Sequence, residues 1–83
     1  MTHADIIALI LSEASGKSLE LTKPLVGEMA KAFGSRTKLN DEVPEEEAQK
    51  LLAGLRQELP GIRAWLEEGG RLARLEMAAA TRH

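Results

Sequence analysis

The chain has no cysteine, which excludes a disulfide framework and thiolate chemistry and suits a reducing compartment. Aromatic residues make up 2% of it, a single Trp and a single Phe, and β-branched residues are few, so a sheet-rich fold has little to build on. Neither sign of charge dominates: 11 Lys and Arg stand against 13 Asp and Glu, a net charge of −2 that calls for neither nucleic acid nor an anionic membrane. The apolar run Ile6 to Leu11 is far shorter than the ~20 residues a membrane span needs. The opening "MTHADIIALIL" has Asp5 where a signal peptide would carry basic residues, so a cytoplasmic location is expected.

What is present is a strong helical signal. Of 83 residues, 43% are hydrophobic, mostly Ala, Leu, Ile and Val, interleaved with Glu, Lys and Arg. That is enough for one domain spanning 1–83, with about 4–12 kcal/mol of stability at typical per-residue values. The expected fold is all-α, a small bundle of four to five short helices. Thr2 and Asp5 form a capping box for a helix from about His3 to Ala14, ended by Ser15-Gly16. Leu21-Thr22-Lys23-Pro24 opens a second, with Thr22 as cap, and Leu25, Met29 and Phe33 recur every four residues before Gly34 stops it. A third begins near Asn40 to Pro44, with Glu45, Glu46 and Glu47 at the positive end of its dipole and a stripe of Ala48, Leu51, Leu52, Leu55 and Leu59. Pro60-Gly61 breaks or bends it. Ile62, Trp65 and Leu66 mark a fourth segment, Gly69-Gly70 a break, and Leu72, Leu75 and Ala79 a fifth that frays at Thr81-Arg82-His83.

Gly16-Lys17-Ser18 matches the end of a phosphate-binding loop, but the first glycine of that motif would fall at position 11, which is Leu11. The triplet therefore reads as a connection between helices. His3 and His83 sit near opposite ends with no second histidine at ligand spacing. The acids from Asp41 to Glu47 lack the alternating oxygen ligands of a calcium loop. Neither a cofactor nor a metal is expected, and no Ser, His and Asp set points to an enzyme.

Two stretches resemble known families. "EMAKAFGSRTKLND" is similar to a helix-turn-helix, with Ala30 and Gly34 at the turn spacing. The resemblance implies a recognition helix opening at Ser35-Arg36-Thr37, with Lys31, Arg36 and Lys38 as candidate nucleic-acid contacts. It departs in lacking the apolar residue after the turn glycine, and in running into Asp41, Glu42 and three further glutamates, which repel DNA. "NDEVPEEEAQKL" resembles a stretch of acyl carrier proteins, whose Asp-Ser-Leu serine carries phosphopantetheine; Ser18-Leu19 is the nearest match, with Lys17 in place of the aspartate.

Most informative is the first helix, which is apolar on two faces: Ile6, Leu9 and Ile10 on one, Ile7, Leu11 and Ala14 on the other. A helix apolar on two sides is buried on two sides, either as the central helix of one chain or between two chains. The expected function is a non-enzymatic protein-interaction module (adaptor, regulator or assembly component), homodimeric through the N-terminal helix. Its candidate interface residues are Ile7, Leu11, Ala14 and Trp65, the last because tryptophan is enriched at interface hot spots. A DNA-binding regulator is the alternative and a carrier protein the third reading.

Overall fold

The computed structural model describes residues 1–32 and 38–80. Expectations placed on Phe33, Gly34, Arg36 and residues 81–83, and on the side chain of Ala79, lie outside the described residues. The fold is all-α. Helix α1 runs over His3–Ser15. The second segment is broken into α2 (Leu19–Thr22), a 3₁₀ turn (Lys23–Leu25) and α3 (Val26–Ala32). Then follow α4 (Glu45–Gln57), α5 (Leu59–Glu68) and α6 (Arg71–Ala80). No strand occurs among the described residues; a lone antiparallel bridge pairs Thr2 with Glu42.

Each end of α1 is closed by local chemistry. The Thr2 hydroxyl accepts the Asp5 N–H at 3.2 Å, and the Asp5 carboxylate accepts the Thr2 N–H at 3.0 Å. The Thr2 N–H, and after it the Thr2 hydroxyl, hold the pKa of the Asp5 carboxyl below its ordinary value, because they favour the ionised form. A helix leaves its first N–H groups without intrahelical partners. Here a loop lies across that end: the His3 N–H donates to the Asp41 carbonyl at 3.3 Å, and the Ala4 N–H to the Leu39 carbonyl at 3.0 Å. The same loop is pinned by the Val43 N–H donating to the Met1 carbonyl at 2.9 Å. At the other end Gly16 takes φ 72°, the left-handed region that a side chain would strain, and returns its N–H to the Ser12 carbonyl at 2.8 Å.

The break between α4 and α5 falls at Glu58, just ahead of Pro60. Pro60 has no N–H to offer the carbonyl four residues back, so α4 cannot continue through it. In the first turn of α5 the missing donor costs nothing.

The core lies around α1, which packs against α2, α3, α4 and α5. Ile10, Leu11, Ile62 and Leu66 are fully buried, in one cluster with Ala8, Ala14, Leu25, Val26, Met29 and Leu75. A second cluster joins Ile6 to Val43 and Ala48, and Leu52 and Leu55 pack against both. The radius of gyration is 12.5 Å, close to the ~12 Å of a compact chain this long.

Two sequence expectations need correcting. Thr22 stands at the N-cap position of the 3₁₀ turn but its side chain makes no capping bond: it also closes α2 and is completely buried. Its hydroxyl lies 3.2 Å from the Ala8 carbonyl and 3.0 Å from the Leu19 carbonyl, so one proton is shared between two helices. The helix starts earlier, at Leu19, behind Ser18. Leu51, counted in the apolar stripe of α4, is exposed, because the helix turns Ala48, Leu52 and Leu55 inward instead.

Candidate interaction surface

The structure places the expected interface residues of α1 inside the chain's own core. Leu11 is fully buried and Ala14 nearly so, and both belong to the cluster that contains Ile62 and Leu66 of α5. Within the described residues the side chains of Leu11 and Ala14 are therefore already buried by the chain itself, in a cluster shared with the 3₁₀ turn, α3, α5 and α6. Ile7 is half-buried and packs against the same cluster. Trp65 is also half-buried against that core. Its ring is covered by the Arg71 guanidinium, 4.2 Å from the ring centroid, a cation–π contact within the chain. Arg71 also donates to the Trp65 carbonyl at 3.4 Å, and Gly69 leaves the space that guanidinium occupies, which a Cβ would obstruct.

What α1 leaves uncovered lies on a different line. Leu9 is half-buried and lies outside the residues packed against either core cluster. It lines a groove of about 160 Å³ with Met1, Asp5, Ala8, Leu19 and Lys23. Met1 and Leu19 are 45% and 42% exposed, high for side chains of that size. On the far side of Met1 a larger groove, about 430 Å³, is bordered by Met1, Glu45, Ala48, Gln49 and Leu52. The N-terminal ammonium pairs with Glu42 at 3.3 Å. Across the other flank Arg56 of α4 grips Glu13 of α1 through two nitrogens, at 2.9 and 3.1 Å, which lowers the Glu13 pKa and raises that of Arg56.

Sequence reasoning missed Met1, Leu9 and Leu19 as a set. Two signals were available: Leu19 is a lone apolar residue in the polar link after Gly16, and Met1 is an apolar residue just ahead of a capping box.

Of the candidate nucleic-acid residues, Lys31 is exposed in the last turn of α3, and Lys38 is exposed at the start of a turn closed by the Asp41 N–H donating to its carbonyl at 3.1 Å. The chain from Lys38 to Asn40 is therefore not helical, which removes the later part of the implied recognition helix. Ser18 is exposed and precedes a helix of only four residues, without a side-chain capping bond. Lys17 lies in the connection from α1 to α2, where its carbonyl accepts the Ser12 hydroxyl and its N–H donates to the Ser15 hydroxyl. Among the described residues no group of three or more His, Cys, Asp or Glu is placed to hold a metal ion. No helix among them is long and apolar enough to cross a membrane. Comparison with protein-family models, with curated proteins and with solved structures found no match.

Proposed function

We propose that this chain is a non-enzymatic protein-interaction module of the cytoplasm, an adaptor, regulator or assembly component. One observation carries the reading: Met1, Leu9 and Leu19 border an apolar groove beside α1 that no helix among the described residues covers. Apolar grooves with charged neighbours, here Asp5 and Lys23, are characteristic of surfaces that meet another protein. A homodimer would use this groove, since Leu11 and Ala14 are occupied within the chain.

The test compares the parent with Leu9→Asp/Leu19→Asp, a change on the half-buried and exposed residues that spares the core. Both are immobilised and challenged with native lysate, and both are run in sedimentation equilibrium at high micromolar concentration. A protein held by the parent and released by the variant supports the reading, as does a parental dimer that the variant dissociates. Identical behaviour of the two chains in both assays removes the groove from consideration. DNA binding keeps only Lys31 and Lys38 among the described residues and has no observation of its own in its favour.

A further inference from the structure

We propose that the groove between Met1 and α4 docks a basic amphipathic helix of a partner protein. The proposal rests on the interaction reading above and names the chemistry of the partner. The floor of the groove is apolar, formed by Met1, Ala48 and Leu52, and its volume of about 430 Å³ leaves room for large apolar side chains. Met1 also borders the neighbouring groove that holds Leu9 and Leu19. Two apolar hollows that share one bordering side chain suit a ligand that presents successive apolar anchors along one face, as an amphipathic helix does.

The rim selects the charge. Glu45 borders the groove and Glu42 reaches the Met1 ammonium, while Asp41, Glu46 and Glu47 adjoin them in a stretch without Lys or Arg between Lys38 and Lys50. Among the described residues, Glu42 alone of the five forms an ion pair, and that is with the chain's own ammonium. The helix dipole accounts for part of the cluster, since carboxylates in the first turn of α4 sit at its positive end. The effect fades within one turn, and like charges this close repel one another. A cationic partner relieves that repulsion and an anionic one adds to it. The same charges that disfavour DNA therefore select a Lys- or Arg-rich helix whose other face is apolar.

The test uses three fluorescein-labelled peptides and the full chain, read by fluorescence anisotropy. The first contains only leucine and lysine, with the leucines on one helical face. The second has the same composition with the leucines spread around the helix, and the third replaces every lysine of the first with glutamate. The expected result is saturable one-to-one binding of the first peptide, weakened by added salt, with weaker binding of the second and none of the third. Glu45→Lys/Glu46→Lys should reduce the affinity about tenfold or more, whereas Glu67→Lys/Glu68→Lys on α5 should leave it within about twofold, with helicity checked by circular dichroism throughout.

Equal binding of the two leucine patterns, an equal loss in both charge-reversed variants, or no saturable binding would each overturn the proposal. If the first peptide fails while Leu9→Asp/Leu19→Asp still releases a captured protein or dissociates a dimer, this partner chemistry falls and the interaction reading stands. If that variant also changes nothing, both fall.

Discussion

Leu11 decides whether α1 is the centre of a single-chain core or half of a dimer interface. In the structure its side chain is completely buried among residues of the same chain, so Leu11→Ala would open a cavity in the folded monomer. Leu→Ala changes at such sites cost about 3–4 kcal/mol, the transfer of the lost carbons plus the void left behind. Against a total of about 4–12 kcal/mol for a chain this long, that is about a quarter of the stability or more. With an unfolding entropy of about 2.1 cal/mol/K per residue, the melting temperature should fall by roughly 15–25 °C. Leu9→Ala is the matched control: its half-buried side chain should cost about 1 kcal/mol. The assay is thermal unfolding by circular dichroism at protein concentrations spanning two decades. A monomer core predicts that the fall in midpoint caused by Leu11→Ala is the same at every concentration, because the lost contacts lie within one chain. If Leu11→Ala melts within a few degrees of the parent, or its midpoint climbs with concentration while the parent's does so more steeply, Leu11 is stabilised by another chain and the core assignment is wrong.

Thr22→Val keeps the volume of a buried side chain and removes its hydroxyl from the Ala8 and Leu19 carbonyls, so urea unfolding should register a loss of about 0.5–1.5 kcal/mol; a neutral or stabilising result would mean those contacts contribute nothing. Gly16→Ala forces a Cβ into the left-handed region and should destabilise by about 1–2 kcal/mol. Gly54→Ala, within α4 and facing open space, should stabilise by about 0.5–1 kcal/mol, so the two glycines should move urea midpoints in opposite directions. Asp5 has a folded pKa below its unfolded value, so its contribution is present above pH ~4 and is lost as pH falls through the lowered value. The stability difference between the parent and Asp5→Asn should therefore be largest near neutrality and should shrink in acid; a difference that persists unchanged at pH ~2 would show that the ionised carboxylate is not its source.

What could be read from the residues alone was whatever closes within one turn. Thr2 and Asp5 satisfy each other's N–H groups three residues apart, and Gly16 ends the helix it follows, so both ends of α1 were legible. The same local logic misread Thr22. A threonine ahead of Lys-Pro has the pattern of a cap, but its role is set by Ala8, fourteen residues away on another helix. The apolar pattern of α1 likewise told that two faces are buried and not what buries them. That answer depends on how α3, α5 and α6 pack around α1, and α5 is set off by the Pro60 break and the turn at Gly69-Gly70, whose angles no periodicity encodes.

The loop at Leu39 to Val43 shows why the candidate groove was harder to foresee than the core. Its carbonyls take the first two N–H groups of α1, and its Val43 N–H is given to Met1, so backbone pairing alone ties α1's start to α4's start. Met1 is thereby fixed between Ala48 and Leu52 on one side and Leu9 and Leu19 on the other, an arrangement that draws on four separate stretches of sequence. Backbone hydrogen bonds carry no side-chain signature, so nothing in the residue pattern marks this junction. The acidic run, by contrast, is plain in the sequence and can be read there only as a helix start. In the structure one of those carboxylates, Glu45, borders the hollow between Met1 and α4, which gives that helix start a place in the proposed surface that the residue pattern alone does not show.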